Sequence, residues 1–194
     1  MTKPPKIILA STSPRRKQLL EQIDFSFEII PSTIYEDFNI SLKPKNFAMH
    51  YAELKAKDVA SNYTDALVIG ADTIVVYDDK ILGKPKDKNE SFDMLTMLSG
   101  NTHKVITGVS IQWQSCNISE TFAEETFVTF REINKSDILY YISTYNPFDK
   151  AGSYGIQDWF SVYVKEIKGD FYNVLGFPLS SFYQRYKRIF EADD

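Results

Sequence analysis

The chain has 194 residues, 43% hydrophobic and 25% charged, the proportions of an ordinary globular protein long enough to bury a continuous core. Its net charge of −4 argues against a surface built to grip nucleic acid, and no apolar stretch reaches membrane-spanning length, so neither partner is expected. One cysteine, Cys116, and two histidines, His50 and His103, exclude an intrachain disulfide, a thiolate zinc cage and a multi-histidine site; any metal must be a hard ion held by carboxylates, water and substrate oxygens.

Residues 7–10 predict a short buried strand, and this apolar run is too short for a secretion-signal core, so a cytoplasmic location is expected. Ser11-Thr12-Ser13-Pro14 predicts a helix start with Ser13 as N-cap and Pro14 at the first helical position. Arg16, Leu19, Leu20 and Ile23 share one stripe and carry that helix to about residue 22 or 23. A second strand is predicted over 25–30, then a polar segment with Glu36 and Asp37, then a helix over 45–61 from the spacing of Phe47, Tyr51 and Leu54. The continuous apolar run 66–70 predicts a central strand, and residues 73–77, an Asp78-Asp79 turn and Ile81-Leu82 predict a hairpin. Helices are predicted over 89–98, closed by Gly100, over 136–145, capped by Ser136, and over 179–190. The segments 105–113, 120–130 and 160–167 are β-rich. Interleaved helices and strands with hairpin-like pairs predict an α/β fold: one domain with a mixed twisted sheet, flanking helices and two lobes around a central cleft.

Six segments are candidates to carry chemistry. Ala10-Ser11-Thr12-Ser13-Pro14-Arg15-Arg16 joins a strand to a helix N-terminus, whose N–H groups and dipole suit an anion, and Arg15 and Arg16 add forked donors. A capped helix with two solvated arginines explains the same residues. Asp72, in Gly70-Ala71-Asp72-Thr73, follows the apolar strand; there a carboxylate holds a metal, deprotonates water, or bonds the next turn. Lys84 sits in the Gly/Pro-framed Leu82-Gly83-Lys84-Pro85, and Lys55 at the margin of a helix's buried face. Residues 149–157, Asp-Lys-Ala-Gly-Ser-Tyr-Gly-Ile-Gln, let backbone approach a ligand, and Gln157 has the donors and acceptor to read one edge of a base. Finally Asn173-Val174-Leu175-Gly176-Phe177-Pro178 forms a turn into the last helix.

Together these segments resemble the Maf family, also called septum-formation proteins, in content and order along nearly the whole chain. The resemblance rests on ASTSPRR at 10–16, GADT at 70–73, LGKP at 82–85, LSGNTHKVITG at 98–108, DKAGSYGIQ at 149–157 and YNVLGFP at 172–178, with AELKA at 52–56 matching a family helix. It implies a mixed α/β fold with a deep cleft, a homodimer, and hydrolysis of a nucleoside triphosphate between its α- and β-phosphates with a divalent cation, magnesium or manganese. It places the proton acceptor on Asp72, a metal or water partner on Glu36, and the phosphate region on Ser11, Ser13, Arg15, Arg16, Lys55 and Lys84. Base choice falls on Arg16, Thr73 and Gln157. The AGSYGIQ wording resembles the branch acting on dTTP and UTP. Asp158 stands where glycine is usual, and Phe177 where leucine is commoner. The other functions weighed are a nucleotide-binding regulator of cell division without turnover, which would keep the cations but not need Asp72, and the same chemistry on a modified guanine nucleotide.

Overall fold

The computed structural model describes residues 6–191. Seven strands form one mixed sheet: β1 (Ile7–Leu9), β2 (Glu28–Ile29), β3 (Leu67–Tyr77), β4 (Lys80–Leu82), β5 (Thr102–Trp113), β6 (Ile118–Phe130) and β7 (Val164–Lys168). Among the described residues six α-helices accompany them: α1 (Pro14–Glu21), α2 (Pro44–Ala60), α3 (Lys88–Leu98), α4 (Lys135–Tyr145), α5 (Phe171–Val174) and α6 (Leu179–Glu191). The strand order is β2-β1-β3-β5-β6-β7, with β4 on the far end of β3. β1 runs parallel to β2 and β3; the remaining pairs are antiparallel. The mixed α/β class is the one predicted.

β3 is apolar on both faces because both are covered. Leu67, Ile69, Ala71 and Val75 join the larger core, with Phe130, Tyr141, Phe160 and Phe177. The alternate residues face α2: Val68 packs with Ala56, Val59 and Ala60, and Ile74 and Val76 with Phe47, Ala48 and Tyr51. α2 lies unusually close to the sheet. Ala48, Ala52 and Ala56, four residues apart, form a small-residue stripe over Gly70 of β3 and Gly108 of β5. A Cβ on Gly70 would stand 2.4 Å from the Ala52 carbonyl oxygen, and one on Gly108 2.2 Å from that of Ala48. Only glycine permits that approach.

The structure alters several predicted elements. The strand expected to end before Asp72 runs unbroken to Tyr77, so Asp72 lies in mid-strand opposite Gly108; the hairpin turn itself stands where it was predicted, at Asp78 and Asp79, both with positive φ. The second strand shrinks to Glu28–Ile29, because only these residues pair with β1. α4 starts at Lys135, one residue earlier than expected, with Asn134 rather than Ser136 at its N-cap position. Phe160 belongs to a 3₁₀ turn, Trp159–Tyr163, instead of a strand, because the Asp158 side chain caps the Phe160 N–H at 3.0 Å. By contrast, Ser13 does cap α1, accepting from the Arg16 N–H at a long 3.4 Å, with Pro14 in the first turn. Phe177, fully buried, packs on Phe182 at 5.0 Å between ring centroids. Among the described residues no helix is long and apolar enough to cross a membrane.

Candidate active site

β1 stops opposite Ile69 and β4, running back along β3, ends opposite Val75, so between those points no strand covers that edge of β3. Both faces of the exposed stretch therefore reach one opening: Asp72 from the α2 side and Thr73 from the opposite side. The opening is a cleft of about 610 Å³, a volume suited to a nucleotide. The turn from β1 into α1 supplies Ser11 to Arg16, the segment before α2 supplies Glu36 and Phe38, and the β4 exit supplies Gly83 and Lys84. Asp149, Lys150 and the stretch from Tyr154 to Ile156 form the remaining rim. Five cations line the cleft against three carboxylates, making it locally positive on a chain of net charge −4.

At the centre, Lys55 of α2 bridges two carboxylates: its Nζ is 2.8 Å from Asp72 Oδ1 and also bonds Glu36. Glu36 reaches this point because its segment is tied to one face of α2, whose residues 51, 55 and 58 are a turn apart. Asp58 accepts from Ser32 and from the Thr33 N–H at 2.7 Å, and the Tyr51 hydroxyl accepts from the Asp37 N–H. Asp72 is 5% exposed, and its Oδ2 is buried without a hydrogen-bond partner. Burial pushes its carboxyl above the ordinary value; Lys55 offsets this only in part, and the neighbouring Glu36 adds to the rise. Burial works the same way on Glu36, but Lys55 and Lys84 outweigh it and hold that carboxyl below its ordinary value.

No group of three or more His, Cys, Asp or Glu side chains capable of holding a metal assembles among the described residues. The protein's own offer is two carboxylates, one with an orphaned oxygen. That set fits a hard divalent ion completed by water and phosphate, and does not fit a closed structural site.

Arg16 points inward. Its Nε donates to the Gly176 carbonyl at 2.9 Å, one Nη to Ser11 Oγ at 3.1 Å and the other to Thr73 Oγ1 at 3.0 Å. Burial lowers its guanidinium to about 10, which leaves it charged at neutral pH. Thr107 donates its one hydroxyl proton to the Asn173 carbonyl at 3.0 Å, so in the Thr73–Thr107 pair the Thr73 proton goes to Thr107 Oγ1 or to Gly176. The Arg16–Thr73–Thr107 chain thus ties the start of α1 to the 173–176 turn across the sheet.

Ser11 Oγ accepts from both Arg16 and the Ser13 N–H, and Ser13 Oγ accepts from the Arg16 N–H, leaving both hydroxyl protons to donate. Arg15 pairs with Asp149 at 3.2 Å, and Lys150 pairs with the same carboxylate at 2.6 Å. Lys84 lies exposed at the rim. The structure therefore brings together Ser11, Ser13, Arg15, Arg16, Glu36, Lys55, Asp72, Thr73 and Lys84. It does not bring Gln157 to them: that side chain is exposed and absent from the cleft lining, although Gly155 and Ile156 beside it are present. Lys150, Thr107 and Asn173 were not singled out from sequence. Lys150 was legible only as a neighbour of Asp149; Thr107 and Asn173 sat inside recognised motifs without any signal that they join hydroxyl and carbonyl to Thr73.

A buried, strand-borne carboxylate bridged by lysine to a second one, in a cation-lined cleft beside a helix N-terminus, defines a phosphate-handling protein of mixed α/β fold. The family described as Maf-like protein matches residues 6–189, and the chain belongs to that family. It is 48% identical over 184 residues to the dTTP/UTP pyrophosphatase of Geobacillus sp. (strain WCH70), covering 95% of this chain and 98% of that one. It is 46% identical over 184 residues to the dTTP/UTP pyrophosphatase of Bacillus cereus, covering 95% of each chain. For the same-named protein of Bacillus pumilus (strain SAFR-032) the identity is 49% over 175 residues, covering 90% of this chain and 92% of that one.

Proposed function

We propose that this chain is a nucleoside triphosphate pyrophosphatase that hydrolyses dTTP and UTP to the monophosphate and pyrophosphate by direct attack of water. The observation that carries the chemistry is the orphaned Oδ2 of Asp72, a buried carboxylate oxygen at a nucleotide-sized cleft with no protein donor. A regulator that only bound nucleotide would have no use for it. Full-length similarity to proteins named dTTP/UTP pyrophosphatase supports the substrate class.

The triphosphate lies along Arg15, Lys84, Lys55 and the start of α1, with the Ser11 and Ser13 hydroxyls donating to its oxygens. Asp72 accepts the proton of the attacking water through Oδ2, and its raised pKa makes it a stronger acceptor than an ordinary carboxylate. Glu36, held ionised, bonds Lys55 and keeps it in register with Asp72. Asp72 and Glu36 would hold a magnesium or manganese ion, which, when bound, screens phosphate charge and acidifies a coordinated water. Cys116 and both histidines lie outside the cleft lining, so the reading needs no covalent intermediate. Arg16 and Thr73 hold one wall rigid for base selection, and Gln157 joins them by turning inward over the base. The same reading takes the protein as a cytoplasmic homodimer.

Pyrophosphate release across a panel of nucleoside triphosphates, with magnesium, with manganese and with EDTA, tests the proposal. UTP and dTTP should lead the panel with a metal and show no turnover in chelator. A profile led by a guanine nucleotide, or full activity in EDTA, refutes it.

A further inference from the structure

The rim of the cleft between Tyr154 and Ile156 belongs to a loop anchored from outside the site, at Tyr154 by His103 and at Gly155 by Tyr141. Tyr141, on α4, is fully buried and flanked by Tyr145 and Trp159, each with its ring within 22° of parallel, so its hydroxyl has a fixed position. That hydroxyl accepts from the Gly155 N–H at 3.1 Å and donates to Asp158 Oδ2 at 2.8 Å. The other carboxylate oxygen of Asp158 caps the following 3₁₀ turn through the Phe160 N–H. Asp158 Oδ2 also sits against Gly155 itself: a Cβ there would be 2.3 Å away. Burial, with Asp158 adding to it, raises the Tyr141 phenol far above its ordinary value, so the proton stays on tyrosine and the donor direction is fixed. Neither side chain lines the cleft; both hold a segment that does.

We propose that Tyr141 and Asp158 form a latch that sets the position of the Tyr154–Ile156 wall, making Asp158 a positioning residue for nucleotide binding. This rests on the pyrophosphatase reading above. Because the latch acts on the wall and leaves Asp72 untouched, its loss weakens binding more than turnover.

Steady-state UTP hydrolysis by Asp158→Ala, Tyr141→Phe and the double variant tests it. Each single substitution should raise KM about tenfold, the scale of one buried hydrogen bond, with kcat within about twofold of the parent. The double variant should be no worse than the poorer single, since both remove one linkage. Unchanged KM in both singles, a fall in kcat at constant KM, or additive effects would overturn the latch. Hydrogen exchange over 149–157 reads it without turnover: the Gly155 amide should lose protection in Tyr141→Phe, and retained protection also overturns it. If Asp158→Ala does not fold, the near-isosteric Tyr141→Phe decides alone. A parent enzyme inactive on UTP and dTTP refutes the functional reading, while the exchange result still judges the latch.

Discussion

Asp72→Asn keeps the size of the side chain and an acceptor for Lys55 but removes charge and basicity. Turnover should fall about 10²–10⁴-fold while the melting temperature holds, as measured by pyrophosphate release and calorimetry on one preparation. The pH profile carries the sign of the Asp72 shift. Activity needs the ionised carboxylate, and its pKa is raised, so kcat/KM should climb with pH through a value above the ordinary 3.8. In Glu36→Gln the neighbouring negative charge is gone and Lys55 serves Asp72 alone, so that limb should move to lower pH; a limb that stays in place would separate Glu36 from the titration. His103 supplies a second pH effect, on stability. Burial holds its imidazole down to about 3, against 6.5 when unfolded, while Nε2 bonds the Tyr154 hydroxyl at 2.8 Å. The unfolded chain therefore binds the extra proton first. This contribution is present above the unfolded pKa and is lost as pH falls toward the folded one. Between pH 7 and 5 the loss should be about 2 kcal/mol, and His103→Gln should remove that slope from urea unfolding curves.

Among the elements, the contact of α2 with β3 and β5 bears most directly on the site. Lys55 meets Asp72 only because the Ala48–Ala52–Ala56 stripe lets the helix sit on Gly70 and Gly108. Gly108→Ala places a methyl against α2 backbone, which cannot rotate away as a side chain can. It should destabilise by about 1–3 kcal/mol or more. Because the helix must lift, kcat should drop as well, although residue 108 touches no ligand. Normal kcat in a folded Gly108→Ala variant would mean that Lys55 tolerates displacement from Asp72. The same face of α2 holds the Glu36 segment through Tyr51 and Asp58, so the helix that carries the lysine also positions one of its two carboxylate partners.

For the molecule as a whole, an acidic chain has gathered cations into one cleft, so ligand binding and stability separate cleanly. Lys84 is exposed, and its removal should change the unliganded stability by no more than about 0.5 kcal/mol. A non-hydrolysable UTP analogue at a hundredfold excess over its Kd should stabilise the parent by about 2.7 kcal/mol. Lys84→Ala should lose most of that gain at the same concentration, as thermal shift measurements would register. An equal shift in both proteins would remove Lys84 from the phosphate path.

Much of this was legible in the linear chain, for local reasons. Ser13 and Pro14 specify a helix start from their own chemistry, helical spacing marks α2, and the apolar run from residue 66 demands a strand covered on both faces. The order of the motifs was enough to indicate the family and its chemistry. What the tertiary structure decided depends on where neighbours stop. Asp72 opens into a cleft because β1 ends opposite Ile69 and β4 reaches back only as far as Val75, and no residue within β3 encodes that gap. Arg16 turns inward because its partners, Gly176 and Thr73, come from segments distant in the chain, while Lys150 reaches the rim and Gln157 lies exposed outside the cleft. Periodicity reports which faces of one element must be buried. It carries no information on the length of the partner that buries them, and the cleft exists where two partners of β3 fall short of each other.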